Sequence, residues 1–300
     1  MLYFLQKGTC IAITIAIANE KGGVGKTTTA VNLAAGLALR LADTEGPAGR
    51  VLLVDMDPQG HGLLATAPEH QTAEPGGSLA ALLTEMPPPA LQRMLQRASH
   101  HPNLFVIPSN RQAMVDAARL LPTLMANETR LSRALAPAQN QFAYIVIDTP
   151  PTIGDLLVNA LVAANAVLIP VETSYLGVSG LRELQRTIEQ VRLHFRPELH
   201  ILGYLPTLCE EQRAEAQEIL AELGSRYKGQ VFAPIHKSSD LAYAHSGHMD
   251  VFTYRPPRSR KDGQIASSAR ATQEYAALVD TVLQKAREEK KPSSRKNLAF

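Results

Sequence analysis

Lys21-Gly22-Gly23-Val24-Gly25-Lys26-Thr27-Thr28 stands between two segments of opposite periodicity. The run from Ile11 to Ala18 is short and β-branched, which predicts a buried strand. From Thr28 to Leu41 the residues Val31, Leu33, Ala34, Leu37 and Leu41 recur at helical spacing, which predicts a helix with one buried side. A strand, a glycine loop and a helix in this order build a phosphate cradle. Glycines let successive backbone N–H groups turn inward, and the helix N-terminus adds partial positive charge. In such a loop Lys26 reaches the β- and γ-phosphates, and the Thr27 hydroxyl ligates Mg²⁺.

The match to G-x-x-x-x-G-K-[ST] is imperfect: the first glycine is replaced by Glu20, and a second lysine, Lys21, sits inside the loop. Two lysines around three glycines repel one another unless an anion lies between them. The loop resembles the deviant Walker A motif of the ParA/MinD family of ATPases, xKGGxGK[ST]. The resemblance implies that Lys21 is the signature lysine, which reaches across a sandwich dimer to the partner's nucleotide. A cation supplied in trans stabilises charge on the transferring phosphoryl group, an effect worth about 10³–10⁵ in rate. Lys21, Gly22, Gly23, Val24, Gly25, Lys26, Thr27 and Thr28 are thus the expected nucleotide-binding residues, with Lys21, Lys26 and Asp57 as the catalytic set.

Two further segments agree with the loop independently. The apolar run from Val51 ends in Asp55 and Asp57, and the run from Tyr144 ends in Asp148. In an open parallel sheet ligands bind outside the carboxyl ends of the strands, so all three acids converge on the glycine loop. Mg²⁺ and a hydrolytic water need carboxylates there. The family pattern gives Asp148 the Mg²⁺-organising role, with Thr27 beside it, Asp55 a supporting one, and Asp57 the attacking water. Downstream, the segment Pro170–Glu172 leading to Gly180-Leu181, and the segment Leu202–Thr207, are also similar to the family. They place Pro206 near the base. No Asn-Lys-x-Asp motif occurs, so ATP rather than GTP is expected.

With 300 residues and 45% hydrophobic content, one large core suffices, burying roughly 75% of the unfolded surface. Alternating strands and helices predict a single doubly wound α/β domain of the P-loop NTPase type over 1–283, a mostly parallel sheet with helices on both faces. A basic, disordered tail is expected over 284–300. About ten residues precede the first strand, which leaves no room for an operator-reading helix-turn-helix. The apolar N-terminus lacks a basic n-region and is interrupted by Lys7 and Gly8, so no signal peptide is expected. Cys10 and Cys209 stand apart from each other, as in a reducing compartment. His245 and His248, with Asp250 nearby, lack a further metal ligand in view.

Charge is uneven. Residues 255–300 carry eleven Lys/Arg against five Asp/Glu, whereas the chain as a whole is only +2. Arg255, Arg258, Arg260 and Lys261 cluster in a proline-containing loop, with Arg270 beyond it. Arg182 and Arg186 fall on a helix whose buried side is Leu181, Leu184, Ile188 and Val191. Aromatic residues are not interleaved with these basics, so phosphate contacts without sequence reading are expected. The resemblance thus implies a cytoplasmic, nucleoid-associated, slow ATP hydrolase that uses ATP and Mg²⁺. It would form a homodimer with ATP, bind double-stranded DNA non-specifically, and segregate or position a cargo with a stimulating ParB-like or other adaptor. Two alternatives of the same fold are a MinD-like membrane-surface ATPase and a non-hydrolysing scaffold that does not bind DNA. Vesicle cosedimentation tests the first, and no membrane contact is expected because residues 285–300 end in only Leu298, Ala299 and Phe300 after a polar run. Phosphate release tests the second.

Overall fold

The β-branched run forms β1 (Ile13–Ile17), and the periodic stretch behind the glycines forms α1 (Lys26–Arg40). The computed structural model describes residues 11–66, 78–175, 177, 180–255 and 267–290. After α1 come β2 (Val51–Asp55), α2 (His61–Thr66) and α3 (Leu79–Thr84). The short strands β3 (Gln96–Arg97) and β4 (Leu104–Val106) follow, then α4 (Arg111–Leu120), α5 (Arg130–Leu135) and β5 (Tyr144–Asp148). The second half alternates regularly: α6 (Asp155–Ala163), β6 (Ala166–Glu172), α7 (Leu181–His194), β7 (His200–Thr207) and α8 (Ala214–Arg226). It ends in α9 (Ser239–Ser246) and α10 (Ser267–Lys290).

Among the described residues the strands form one seven-stranded sheet in the order β3-β4-β2-β5-β1-β6-β7. Every pairing is parallel except β3 with β4. Successive side chains on a strand point to opposite faces, and both faces here are apolar. Ile15, Ile17, Leu53 and Val146 lie on the face covered by Leu33 and Leu37 of α1 and by Tyr275 and Val279 of α10. Leu52, Val54, Ile145 and Ile147 lie on the other, under Leu82, Met114, Leu131 and Leu156 of α3–α6. Ala16, Val167 and Ile169 continue that second face beneath α6, α7 and α8. The chain has the expected doubly wound P-loop NTPase architecture, and Leu181, Leu184, Ile188 and Val191 are the buried side of α7, as predicted.

The expected boundary at 283 is corrected. α10 runs on to Lys290, because Leu278, Val279 and Val282 continue through Ala286 as one buried stripe. Residues 291–300 lie outside the described residues, as do Cys10, Arg258, Arg260 and Lys261.

β1 lies between β5 and β6, and this fixes what meets the glycine loop. Ile17 stands opposite Asp148, and Asp148 opposite Asp55, so three strand ends finish at one level. Glu172 ends β6 opposite Thr207 on β7.

Candidate phosphate-binding site

The loop from Asn19 to Gly25 is held by its neighbours at both ends. Asn19 is fully buried; its Nδ2 donates to the Pro170 carbonyl at 2.6 Å and its Oδ1 accepts the Lys21 N–H at 3.0 Å. At the other end the Thr207 hydroxyl donates to the Val24 carbonyl at 2.8 Å. Gly23 and Gly25 adopt φ of +76° and +85°, a left-handed conformation that side-chain-bearing residues rarely tolerate. Gly25 also stands at the N-cap position of α1, and no side chain caps that helix end. The first-turn N–H groups thus have no partner from a capping side chain and suit an anion.

Lys26 is almost wholly buried, and its ammonium donates to the Lys21 carbonyl at 2.9 Å across the mouth of the loop. Burial lowers its pKa, while the carboxylates of Asp148 and Asp57 oppose that shift. A buried cation with one neutral acceptor is poised for a multiply charged anion. Lys21 projects the other way. Its ammonium sits at the loop rim, about 30% exposed, against the carboxylate of Glu172.

The three acids differ more than their sequence positions imply. Asp55 is buried and accepts two backbone N–H bonds, from Asp57 at 3.1 Å and from Gly62 at 2.8 Å, so it ties down the turn after β2. Asp57 stands on that turn, half-buried, with Oδ1 accepting the Gln59 N–H at 2.9 Å. Asp148 is fully buried, and neither of its oxygens makes a well-formed hydrogen bond. Burial raises its pKa well above the ordinary carboxylate value, and Asp55 and Asp57 add to the rise; the Thr27 hydroxyl and Lys26 oppose it. An orphaned buried carboxylate beside a hydroxyl is a set of hard oxygen donors that fits a small divalent cation.

This imbalance carries a stability cost. With its pKa raised, Asp148 binds its proton more tightly in the folded than in the unfolded chain. Its contribution to stability is therefore lost as pH climbs from the ordinary carboxylate range through the raised value. Asp148→Asn should remove that slope and make the ligand-free chain more stable at neutral pH, because an amide cannot ionise and so avoids the cost of a buried charge. Urea unfolding at neutral pH and at pH 4–5 measures both changes. An unaltered midpoint would mean that the carboxylate is already compensated.

Of the basic residues, Arg182 and Arg186 are exposed on the first turns of α7 and form no ion pair among the described residues. Arg255 is exposed and donates to the Phe252 and Tyr254 carbonyls at 2.8 and 3.2 Å. Arg270 is committed elsewhere: its Nε donates to Glu274 at 2.8 Å, and its Nη2 lies 3.6 Å from Glu211. His236 bridges the same two carboxylates, at 2.7 Å to Glu274 and 2.8 Å to Glu211. This network fastens α10 to the segments after β7. Asp250 likewise is taken up by His101 at 2.8 Å, and His245 packs edge-on against His61. Among the described residues no group of three or more His, Cys, Asp or Glu is arranged to hold a metal.

Pro206 lies buried within β7, its carbonyl accepting the Ile235 N–H at 2.8 Å. Its neighbour Thr207 is the residue of β7 that touches the loop. Asn19, Gly62, Glu172 and Thr207 also stand at the site; Glu172 and Thr207 end the two downstream segments similar to the family, which assign them no role. Asn19 and Gly62 flank motif segments and were within reach; Glu172 and Thr207 join the site only through strand order.

A family profile described as "AAA domain" matches residues 12–201. The chain is 35% identical over 247 residues to the sporulation initiation inhibitor protein Soj of Bacillus subtilis, covering 82% of this chain and 92% of that one. It is 38% identical over 225 residues to the chromosome partitioning protein ParA of Myxococcus xanthus, covering 74% of each. Among solved structures, the cobyrinic acid a,c-diamide synthase of Mycobacterium smegmatis with bound ADP and magnesium superposes with a TM-score of 0.72 at 27% identity, over 93% of this chain and 97% of that one.

Proposed function

The chain belongs to the ParA/MinD family of ATPases, and from that premise we propose that it is a slow Mg²⁺-dependent ATP hydrolase that dimerises around ATP, binds DNA without reading sequence, and positions or segregates a cargo. The observation that carries this reading is the division of labour between two lysines on one loop. Lys26 turns inward, buried beside Asp148, whereas Lys21 turns outward at the rim. On this reading one ammonium serves the protomer's own phosphates, and the other serves a neighbour's.

The chain's residues would act as follows. Backbone N–H groups of the loop and of the α1 N-terminus, with Lys26, bind and orient the triphosphate. Thr27 and Asp148 hold Mg²⁺, which when bound neutralises charge on the phosphates. Asp55 fixes the turn on which Asp57 stands, and Asp57 orients the attacking water. Lys21 of the partner stabilises the charge that develops on the transferring group. Turnover is slow until a ParB-like or other adaptor protein completes the water-activating geometry.

The proposed DNA-bearing residues among those described are Arg182, Arg186 and Arg255, all exposed; the sequence-based candidates Arg258, Arg260 and Lys261 lie outside the described residues. Arg270 belongs to the same proposed set and also ties α10 to Glu211. Binding to a duplex should need ATP, ignore sequence and weaken with salt at about −0.9 per phosphate contacted on log axes. Fluorescence anisotropy with two unrelated duplexes checks this. Tight binding by the nucleotide-free protein, or a clear preference between the duplexes, would overturn the DNA part of the proposal. Vesicle cosedimentation with ATP should show no binding, and the protein should be found in the cytoplasm over the nucleoid.

A further inference from the structure

We infer that Glu172 is a positioning residue for Lys21: within one protomer it retains the ammonium at the rim of the loop, and it must release it before the lysine can reach a partner's nucleotide. The inference rests on the trans role of Lys21 proposed above. Lys21 and Glu172 are 151 residues apart, yet the fold brings them together. Asn19 clamps the Lys21 backbone to Pro170, two residues before Glu172 on the same strand. Thr207, the register partner of Glu172 on β7, clamps the loop at Val24. The carboxylate therefore stands between the two anchors, where the Lys21 side chain emerges.

Further contacts fix that position. The Glu172 carbonyl accepts the Ser174 N–H at 2.8 Å, and the Thr173 N–H donates to the Thr207 carbonyl at 3.2 Å, so the strand end cannot swing away. Glu20, the neighbouring acid, lies instead against Gly180, with Glu183 near it. The Lys21–Glu172 pair is about 30% exposed on each side. Ion pairs this open to water are weak and are screened by salt. A triphosphate can thus displace the carboxylate, but a lone protomer has no reason to. The pair sets a threshold for assembly and keeps Lys21 from its own loop's anion.

Glu172→Gln preserves shape and removes the charge. Releasing one such pair is worth roughly threefold, and a symmetric dimer opens two, so ATP-dependent self-association should tighten about tenfold. Analytical ultracentrifugation with Mg²⁺ and a non-hydrolysable ATP analogue reads this directly. Glu172→Asp, which keeps the charge, should stay near the unsubstituted protein. Unchanged or weaker association of a normally folded Glu172→Gln overturns the inference. Lys21→Ala separates the two claims: if it dimerises with the analogue like the unsubstituted protein, the trans role itself fails. If it does not dimerise, yet Glu172→Gln gains nothing, only the role of Glu172 fails. A measurement on the unsubstituted protein is independent of any variant's folding. Acylation of the Lys21 amine, followed by mass spectrometry, should be slow without nucleotide at low salt and faster at high salt. Labelling at the rate of the exposed lysines under both conditions overturns the pairing.

Discussion

Lys21→Ala should abolish nearly all ATP turnover, a fall of about 10³–10⁵-fold on the scale of a cation supplied in trans, while ATP binding by the single protomer changes little. The separation follows from which atoms of Lys21 the loop uses. Its N–H is held by Asn19 and its carbonyl by the Lys26 ammonium. Both are backbone groups that alanine retains, so the cradle survives and only the rim charge is lost. The side chain removed is about 30% exposed and its ion pair weak, so the folded state loses little. Phosphate release at saturating ATP, beside nucleotide binding measured at low protein concentration, checks both halves. Normal turnover by this variant would remove the reason for a closed pair of subunits, and the proposed switch with it.

The second large effect is expected at Asp57. Asp57→Ala should slow hydrolysis by about 10²–10⁴-fold, the range for a positioned acid–base group, and should accumulate an ATP-bound dimer. A complication is visible in the structure: the carboxylate also accepts the Gln59 N–H and so helps build its own turn. Asp57→Asn resolves it, because the amide oxygen keeps that hydrogen bond and only the charge is removed. Equal losses in the two variants mean that the carboxylate acts on water. Full activity in Asp57→Asn with loss in Asp57→Ala would reduce the residue to a turn-former. The Asp55 contacts to Asp57 and Gly62 are unaffected by either change, so the turn stays attached to β2.

Asp148 shows how such a site trades stability for binding. A buried carboxylate with no full hydrogen bond is costly in the ligand-free chain, yet the same deficit makes a cation welcome. Stability and chemistry are therefore expected to move in opposite directions at this position, and the Asp148→Asn experiment reads the first half of that trade without nucleotide.

Much of the fold was legible because its signals are local. β1, α1, β2 and β5 each occupy one unbroken run of apolar spacing, and the structure places them within two residues of the expected limits. The stretch 78–103 carries no readable period, since α3 is a six-residue helix and β3 has two residues. The tail was misplaced because Lys285, Arg287 and Lys290 read as a solvated run, whereas Ala286 carries the buried stripe of α10 past them. Arg270, expected to contact DNA, also pairs with Glu211 and Glu274; the first of these pairings depends on how distant segments pack.

Residues 21–28 by themselves determined that the chain cradles phosphate, because eight contiguous residues contain the whole device: glycines for the turn, one lysine inside, a hydroxyl, and the start of a helix. Tertiary structure alone decided how the surrounding groups are spent. It made Asp55 a brace and Asp148 an orphan, it put Thr207 against the loop, and it set Glu172 beside Lys21. These outcomes depend on the strand order β2-β5-β1-β6-β7, which brings residues more than a hundred positions apart to one sheet end. A local pattern can announce a strand, but the identity of its neighbours is set by how all the apolar faces are buried at once.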